Sequence, residues 1–466
     1  MLDGVIRNSL IALFLLPKLY NIRTTYRHAE SMKKTHDHLL QRIVLFFTIV
    51  SLATSATSLP LTFSDFTGST TGNNTSSKID AILNMINATL IRQYLVTLVG
   101  FGPRMTGTYG CEQAAKYIHE QFTTMGLSVR YQNWTSWGNY YYHHIYSSQN
   151  IEGTLQGTNT TDDSYIIFNA HYDTVAEGPG ANDDGSGTAA VLAAAYALSH
   201  FTFNRTIKFV TFSGEEVALL GSRAYAKEAY ERNDSILVEI NADMIGHDEG
   251  SKQMRVTATE DAGWVADIFQ HIKGTYDVPL TVNRGTINRV GHKMSGSDYA
   301  PFLAYGWETI ACWQVDHDPN FHTARDNLSN VNISYLVNTT RLIAGTLATL
   351  ADVTDAPPQV RITSPRIGYL YDEGMEKREI GEFKTTVLND IWIWAEVQYE
   401  TAPLTKAEFY VDEKFVFTDT EAPFSWHFTR FSLRNHEITV IVYDQLGRNS
   451  TDWREIRFIN IFRNSH

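Results

Sequence analysis

The residues able to do chemistry lie close together: His171-Tyr-Asp173, then Gly180-Ala-Asn-Asp183-Asp184-Gly-Ser-Gly187, then Gly214-Glu215-Glu216, with Asp243 further on. A neutral imidazole and several carboxylates are the ligand types that hold zinc and similar divalent ions, and one carboxylate bridges two ions through its two oxygens. Taken singly, each residue reads as a solvated loop end, because charged side chains are normally exposed. Their placement argues otherwise, since they fall at the ends of successive strand-like runs.

Those runs are the elements that must position them. Ser164 to Ala170 (SYIIFNA) is a buried strand by composition and ends at His171. Thr206 to Phe212 (TIKFVTF) ends just before Ser213-Gly214-Glu215-Glu216, and Ser235 to Ala242 (SILVEINA) delivers Asp243. Between the first two, Ser186 to Leu198 is Ala-rich, long enough for a helix and opened by a capping Ser. Strands alternating with helices make a parallel α/β sheet, and ligands bind such sheets beyond the carboxyl ends of the strands.

The combination His-x-Asp, Gly-Ala-x-Asp-Asp-x-Ser-Gly, Gly-Glu-Glu-x-x-Leu-x-Gly-Ser and Asn-x-Asp-Met-x-Gly resembles the zinc-dependent exopeptidase family of bacterial leucyl aminopeptidases and glutamate carboxypeptidase. The resemblance covers about residues 78–354. It implies an α/β fold with a mixed, mainly parallel sheet flanked by helices, and two zinc ions. His171 and Asp243 would bind one ion, Glu216 the other, and Asp183 both. Asp173 would orient His171, Glu215 would be the general base, and the Asp183–Asp184 peptide bond would be cis. The fifth ligand falls to His322 in Asn320-Phe-His322-Thr-Ala-Arg-Asp326, with His317 as its competitor. Ser297-Asp298-Tyr299 resembles a Ser-Asp-His element of the family, with Tyr299 in place of the His. Met294 stands where some members carry a Tyr that assists the transition state.

The chain has 466 residues, 43% of them hydrophobic, enough for more than one domain. Met32 to Ser58 has a basic start, an apolar run and then small residues, the organisation of a secretory signal. Residues 1–58 are therefore read as a leader whose true start is Met32, and an uncleaved membrane anchor is the rival reading. Residues 59–77 read as a flexible linker. The expected location is secreted or extracellular, or the outer face of the cell membrane. Sequons at Asn74, Asn87, Asn133, Asn159, Asn332 and Asn338 are compatible with export. The two cysteines, Cys111 and Cys312, form one bridge or stay buried thiols. A net charge of −13 argues against a nucleic-acid partner.

Within 78–354, Ile79 to Leu98 and Glu112 to Met125 read as helices, separated by a segment containing Arg104 that also resembles the family. Ser128 to Gln156 reads as antiparallel strands whose Tyr140, Tyr141 and Tyr142 line a pocket or pack across strands. Glu260 to Tyr276 and Asn332 to Val353 read as helices, and Asn283 to Lys293 as a basic loop with Arg284, Arg289 and His292. Past Asp355-Ala-Pro-Pro358 the chain turns to short alternating runs, so 358–466 reads as a small all-β sandwich. Its Glu408-Phe-Tyr-Val-Asp412 and Ala422-Pro-Phe-Ser-Trp426 segments resemble immunoglobulin-like modules of secreted enzymes. Its roles would be spacing, surface attachment or substrate docking.

The function the resemblance implies is an exported metallo-exopeptidase acting on peptides, in the first place an aminopeptidase. The alternatives are a carboxypeptidase, with Arg284 or Arg289 taking the substrate carboxylate, a glutaminyl cyclase-like transferase, and a catalytically inactive binding protein.

Overall fold

Two strands, β3 (Tyr165–His171) and β5 (Ile236–Ala242), are buried along their whole length. A strand covered on both faces needs apolar side chains on both, which is why each reads as an unbroken apolar run. The computed structural model describes residues 72–137, 144–288 and 296–461, all within the compact unit Phe63–His466. The leader 1–58, the linker as far as residue 71, Tyr140, Tyr141, Tyr142, Arg289, His292 and Met294 lie outside the described residues.

Among the described residues, eight strands form one sheet in the order β1-β2-β4-β3-β5-β8-β6-β7. The remaining strands are β1 (Ser128–Trp137), β2 (Ile145–Leu155), β4 (Thr206–Phe212), β6 (Gln253–Thr259), β7 (Thr281–Ile287) and β8 (Thr309–Gln314). Pairs β3/β4, β3/β5, β5/β8 and β6/β7 are parallel. Pairs β1/β2, β2/β4 and β6/β8 are antiparallel. The parallel centre aligns the carboxyl ends of β3, β4 and β5 on one edge.

Helices α1 (Gly72–Met85), α2 (Ala88–Gly100), α3 (Tyr109–Thr124) and α4 (Gly185–Leu198) precede β4 or lie between β3 and β4. They are followed by α5 (Leu220–Glu231), α6 (Gly263–Thr275), α7 (Tyr299–Ala304) and α8 (Ile333–Asp352). Every residue of α4 except Tyr196 is buried. Its Ala and Gly content lets it lie close to the sheet: a Cβ on Gly187 would come within 2.3 Å of the Ala242 carbonyl oxygen. Ile166, Phe168, Leu192 and Ile240 are fully buried in this core, each contributing about 1.5–3 kcal/mol.

Four expectations need correction. Residues 72–77 of the expected linker belong to α1, and α4 is capped by Asp184 and not by Ser186. Ile79 to Leu98 is not one helix: α1 ends at Met85 and α2 starts at Ala88, because the Asn87 side chain accepts the backbone N–H of Thr89 and Leu90 at 3.0 and 3.1 Å. The basic loop starting at Asn283 is instead strand β7 as far as Ile287, paired with β6. Both cysteines are free and buried. Among the described residues no single helix is long and apolar enough to cross a membrane.

From Gln359 onward every regular element of the described chain is a strand. A three-stranded sheet, β16 (Phe424–Phe428), β13 (Ile391–Tyr399) and β9 (Gln359–Ser364), shares a core with a seven-stranded one. The second is ordered β11 (Met375–Glu379), β10 (Tyr369–Asp372), β12 (Thr386–Leu388), β18 (Asn449–Asn460), β17 (Ser432–Asp444), β14 (Leu404–Val411), β15 (Lys414–Asp419). Alternation sets the faces: Ile391, Ile393 and Ala395 are buried, Trp392 and Trp394 exposed.

One buried polar chain ties this β domain together. The Ser432 hydroxyl donates to His436 Nε2 at 2.7 Å, and His436 Nδ1 donates to Asp412 at 2.9 Å. A carboxylate can only accept here, which fixes the tautomer. His436 is buried and meets Phe428 edge-on. The arrangement fastens the β14–β15 turn to the start of β17. His436→Ala removes both bonds, although Asp412 keeps those from Arg434 and the Glu437 N–H, and is expected to lower stability by about 1–2 kcal/mol, read as a lower urea midpoint; an unchanged midpoint would show the chain to be slack.

Candidate active site

The loop after β3 begins at His171, and its Asp173 lies under the loop after β4. His171 Nδ1 is 3.2 Å from the Asp173 carbonyl oxygen and 3.6 Å from its carboxylate. Neither can donate, so Nδ1 carries a proton, and Nε2 is the ring atom that faces the cluster. The Asp173 carboxylate also accepts the Thr106 hydroxyl at 2.8 Å and the Glu215 N–H at 3.3 Å. It therefore links the His171 loop to the Glu215 loop as well as orienting the imidazole.

Asp183 and Asp184, joined by a cis peptide bond, do different work. Asp184 caps α4, accepting the Gly187 N–H at 2.9 Å, and also accepts Met244 N–H at 3.1 Å. Asp183 points into the site, with Oδ1 3.3 Å from His171 Nε2 and Oδ2 3.1 Å from His322 Nε2. His322 Nε2 lies 3.1 Å from Glu216 as well. The Asp243 carboxylate, from the end of β5, is 3.8 Å from His171 Nε2. The sequence-expected residues thus gather into two groups, His171–Glu215–Asp243 and Asp183–Glu216–His322, in each of which the ligating atoms lie within 4.8 Å of one another. His317 is exposed and belongs to neither group.

Three residues of these motifs have supporting roles that the motifs do not state. Asp326, 2% exposed, accepts the backbone N–H of Asn182 at 2.7 Å and of Asp183 at 3.0 Å. Arg104 is fully buried, and its guanidinium donates to the carbonyls of Tyr172 (2.7 Å), Pro179 (2.5 Å) and Gly180 (3.0 Å). It holds the β3–α4 loop closed from below. Gly214, at φ +82°, lies under the Trp134 ring, which a Cβ would approach within 2.7 Å; the bare backbone lets the Glu215 turn pass beneath it.

The electrostatics ask for positive charge. Burial raises the Glu215 carboxyl well above the usual range, and the charges of Asp243, Asp298 and Glu216 add to it against His171. Burial likewise raises Asp298, to about 7. For His171, burial acts downward but is outweighed by Glu215, Asp173, Asp183 and Asp243, which push it well above its ordinary value. His322 is lifted to about 10 by its bonds to Asp183 and Glu216. Crowded carboxylates that pull protons onto both imidazoles are carboxylates short of a cation. His171 Nε2 and Glu216 Oε1 are buried without a hydrogen-bond partner, as metal-facing atoms would be. The donor set of two imidazoles and three carboxylates, with Glu215 beside them, fits zinc.

Arg284 is not placed to receive a substrate carboxylate. It lies on β7, at the far edge of the sheet, where it pairs with Asp267 and donates to the Gly263 carbonyl at 3.0 Å.

Residues 150–347 match the model for peptidase family M28. Aminopeptidase Y of Saccharomyces cerevisiae is 29% identical over 208 residues, 42% of this chain and 38% of its own. Aminopeptidase YwaD of Bacillus subtilis is 30% identical over 191 residues, 40% of this chain and 41% of its own. The chain thus spans about two fifths of the length of these relatives. Among solved structures, an aminopeptidase from Aneurinibacillus superposes with a TM-score of 0.50 at 16% identity, covering 59% of this chain and 96% of its own. The Legionella pneumophila LapA aminopeptidase gives 0.50 at 22%, covering 59% and 75%. The stretch that supplies every residue of the two ligand groups is therefore similar in sequence to peptidase family M28, and the fold around it is that of aminopeptidases.

Proposed function

We propose that the protein is an exported metallo-exopeptidase that removes the amino-terminal residue of peptides, with zinc at both ligand groups. The observation that carries this reading is the placement of Asp183, whose two oxygens face the two imidazoles of adjoining groups while Glu215 stands beside them. His171, Asp243 and Asp183 would hold one ion, and Glu216, His322 and Asp183 the other. Bound zinc would supply a Lewis acid and lower the pKa of water. Glu215 takes a proton from the attacking water and delivers it to the leaving amine; its raised affinity for protons suits both halves of that task. Asp173 keeps His171 in the ligating tautomer and Asp326 holds the Asp183 backbone.

The amino-terminal polarity is supported by the names of the relatives, Aminopeptidase Y and Aminopeptidase YwaD, and by the engagement of Arg284 elsewhere. We place the catalytic domain at 78–354 and an immunoglobulin-like sandwich at 358–466. Residues 1–58 act as the export leader, with attachment at the cell surface through that leader or the sandwich as the variant of this reading.

The test is to incubate the zinc-loaded protein with peptides blocked at one end or the other and follow masses. Stepwise loss from free amino termini, abolished by a chelator, is the expected result. Loss from the carboxyl end would reverse the polarity, and no cleavage with zinc bound would defeat the peptidase reading.

A further inference from the structure

Two helices leave the site and end on the β domain. Helix α5 begins at Leu220, after the short turn that carries Glu215 and Glu216, and α7 follows directly on Asp298. They pack together through Tyr225 and Phe302, with ring centroids 6.0 Å apart. At their far ends Tyr230 stacks on Tyr305 at 4.7 Å.

The β domain grips that far end from three directions. The Tyr230 hydroxyl accepts Arg454 Nη1 at 3.0 Å and the Ile367 N–H at 2.9 Å. The Arg361 guanidinium, 3% exposed, lies 5.0 Å over the Tyr230 ring and 4.5 Å over the Trp307 ring. Phe383 packs on Tyr305 at 5.0 Å. Closer to the site, Arg223 of α5 pairs with Glu382. Stacked rings capped by a buried guanidinium and two hydrogen bonds make a rigid contact. A short helix such as α7 transmits such a constraint to its first residue, because packed elements shift as units.

We propose that the β domain is a positioning part of the active site: by holding Tyr230 and Trp307 it fixes the two helices into which the Glu215–Glu216 turn and Asp298 lead. Tyr230, Arg361 and the Arg223–Glu382 pair are positioning residues that act through α5 and α7. The effect on turnover rests on the peptidase reading; the effect on the Glu215 loop does not.

The experiment uses full-length protein with Tyr230→Phe, Arg223→Glu and the swap Arg223→Glu/Glu382→Arg. It measures turnover of a leucyl chromogenic amide and hydrogen–deuterium exchange of residues 213–222, at a temperature where near-UV circular dichroism shows each variant folded. Tyr230→Phe and Arg223→Glu are expected to lower kcat at least about fivefold with KM within about twofold. Exchange of 213–222 should rise about tenfold, and the swap should restore both. Exchange and kcat at wild-type values would overturn the proposal, as would faster exchange with kcat unchanged. If Tyr230→Phe does not fold, the charge pair and its swap decide. If the wild type cleaves nothing, zinc dissociation constants replace kcat, so that failure of the peptidase reading is told apart from failure of the coupling.

Discussion

Glu215→Gln is expected to lower peptide hydrolysis by about 10²–10⁴-fold, the usual worth of a positioned general base, while the bound zinc stays at its wild-type amount. The substitution keeps the shape of the side chain and the backbone N–H that reaches Asp173; it removes only the capacity to take a proton. Distance alone does not separate base from ligand here, since a Glu215 oxygen lies 4.0 Å from His171 Nε2, much as Asp243 does. Metal analysis by atomic emission makes the separation. Loss of an ion in step with loss of activity would reassign Glu215 as a ligand and leave the base to be found.

Arg104→Met is expected to have the largest effect on stability, about 2–5 kcal/mol out of a typical total of about 5–15. The guanidinium is the shared donor for carbonyls at Tyr172, Pro179 and Gly180. A buried carbonyl deprived of its donor costs about 1–3 kcal/mol, and no side chain of Met can replace three N–H groups. The urea midpoint should fall steeply, and activity should vanish in the folded fraction because the loop carries Asp183. A midpoint within error of wild type would mean that water serves these carbonyls as well as Arg104 does.

The contrast between these residues shows what a linear reading reaches. His171, Glu216 and Asp243 are legible because each sits one or a few residues past a buried apolar run, Asp183 because it stands just before the Ala-rich helix, and their chemical type is informative. Arg104 and Asp326 are harder: an Arg in a helix connection and an Asp in a polar loop acquire their jobs only through partners 68 and 143 residues away. Asn87 reads as a sequon, yet its side chain ends one helix and starts the next. β6 and β7 carry Arg255, Asn283 and Arg284 among their apolar residues. Half-exposed strands near a sheet edge carry such polar residues on one face, so a short one resembles a loop.

The carboxyl-edge alignment of β3, β4 and β5 also governs when the site comes into being. Its members come from four separated stretches of chain, the outermost being His171 and His322. No hairpin or helix pair holds even one complete group, so a half-folded chain offers a metal nothing better than scattered carboxylates. A cation seated there favours the finished structure by mass action. Uptake of metal would therefore act as a seal on completed folding, set only once the distant segments have met.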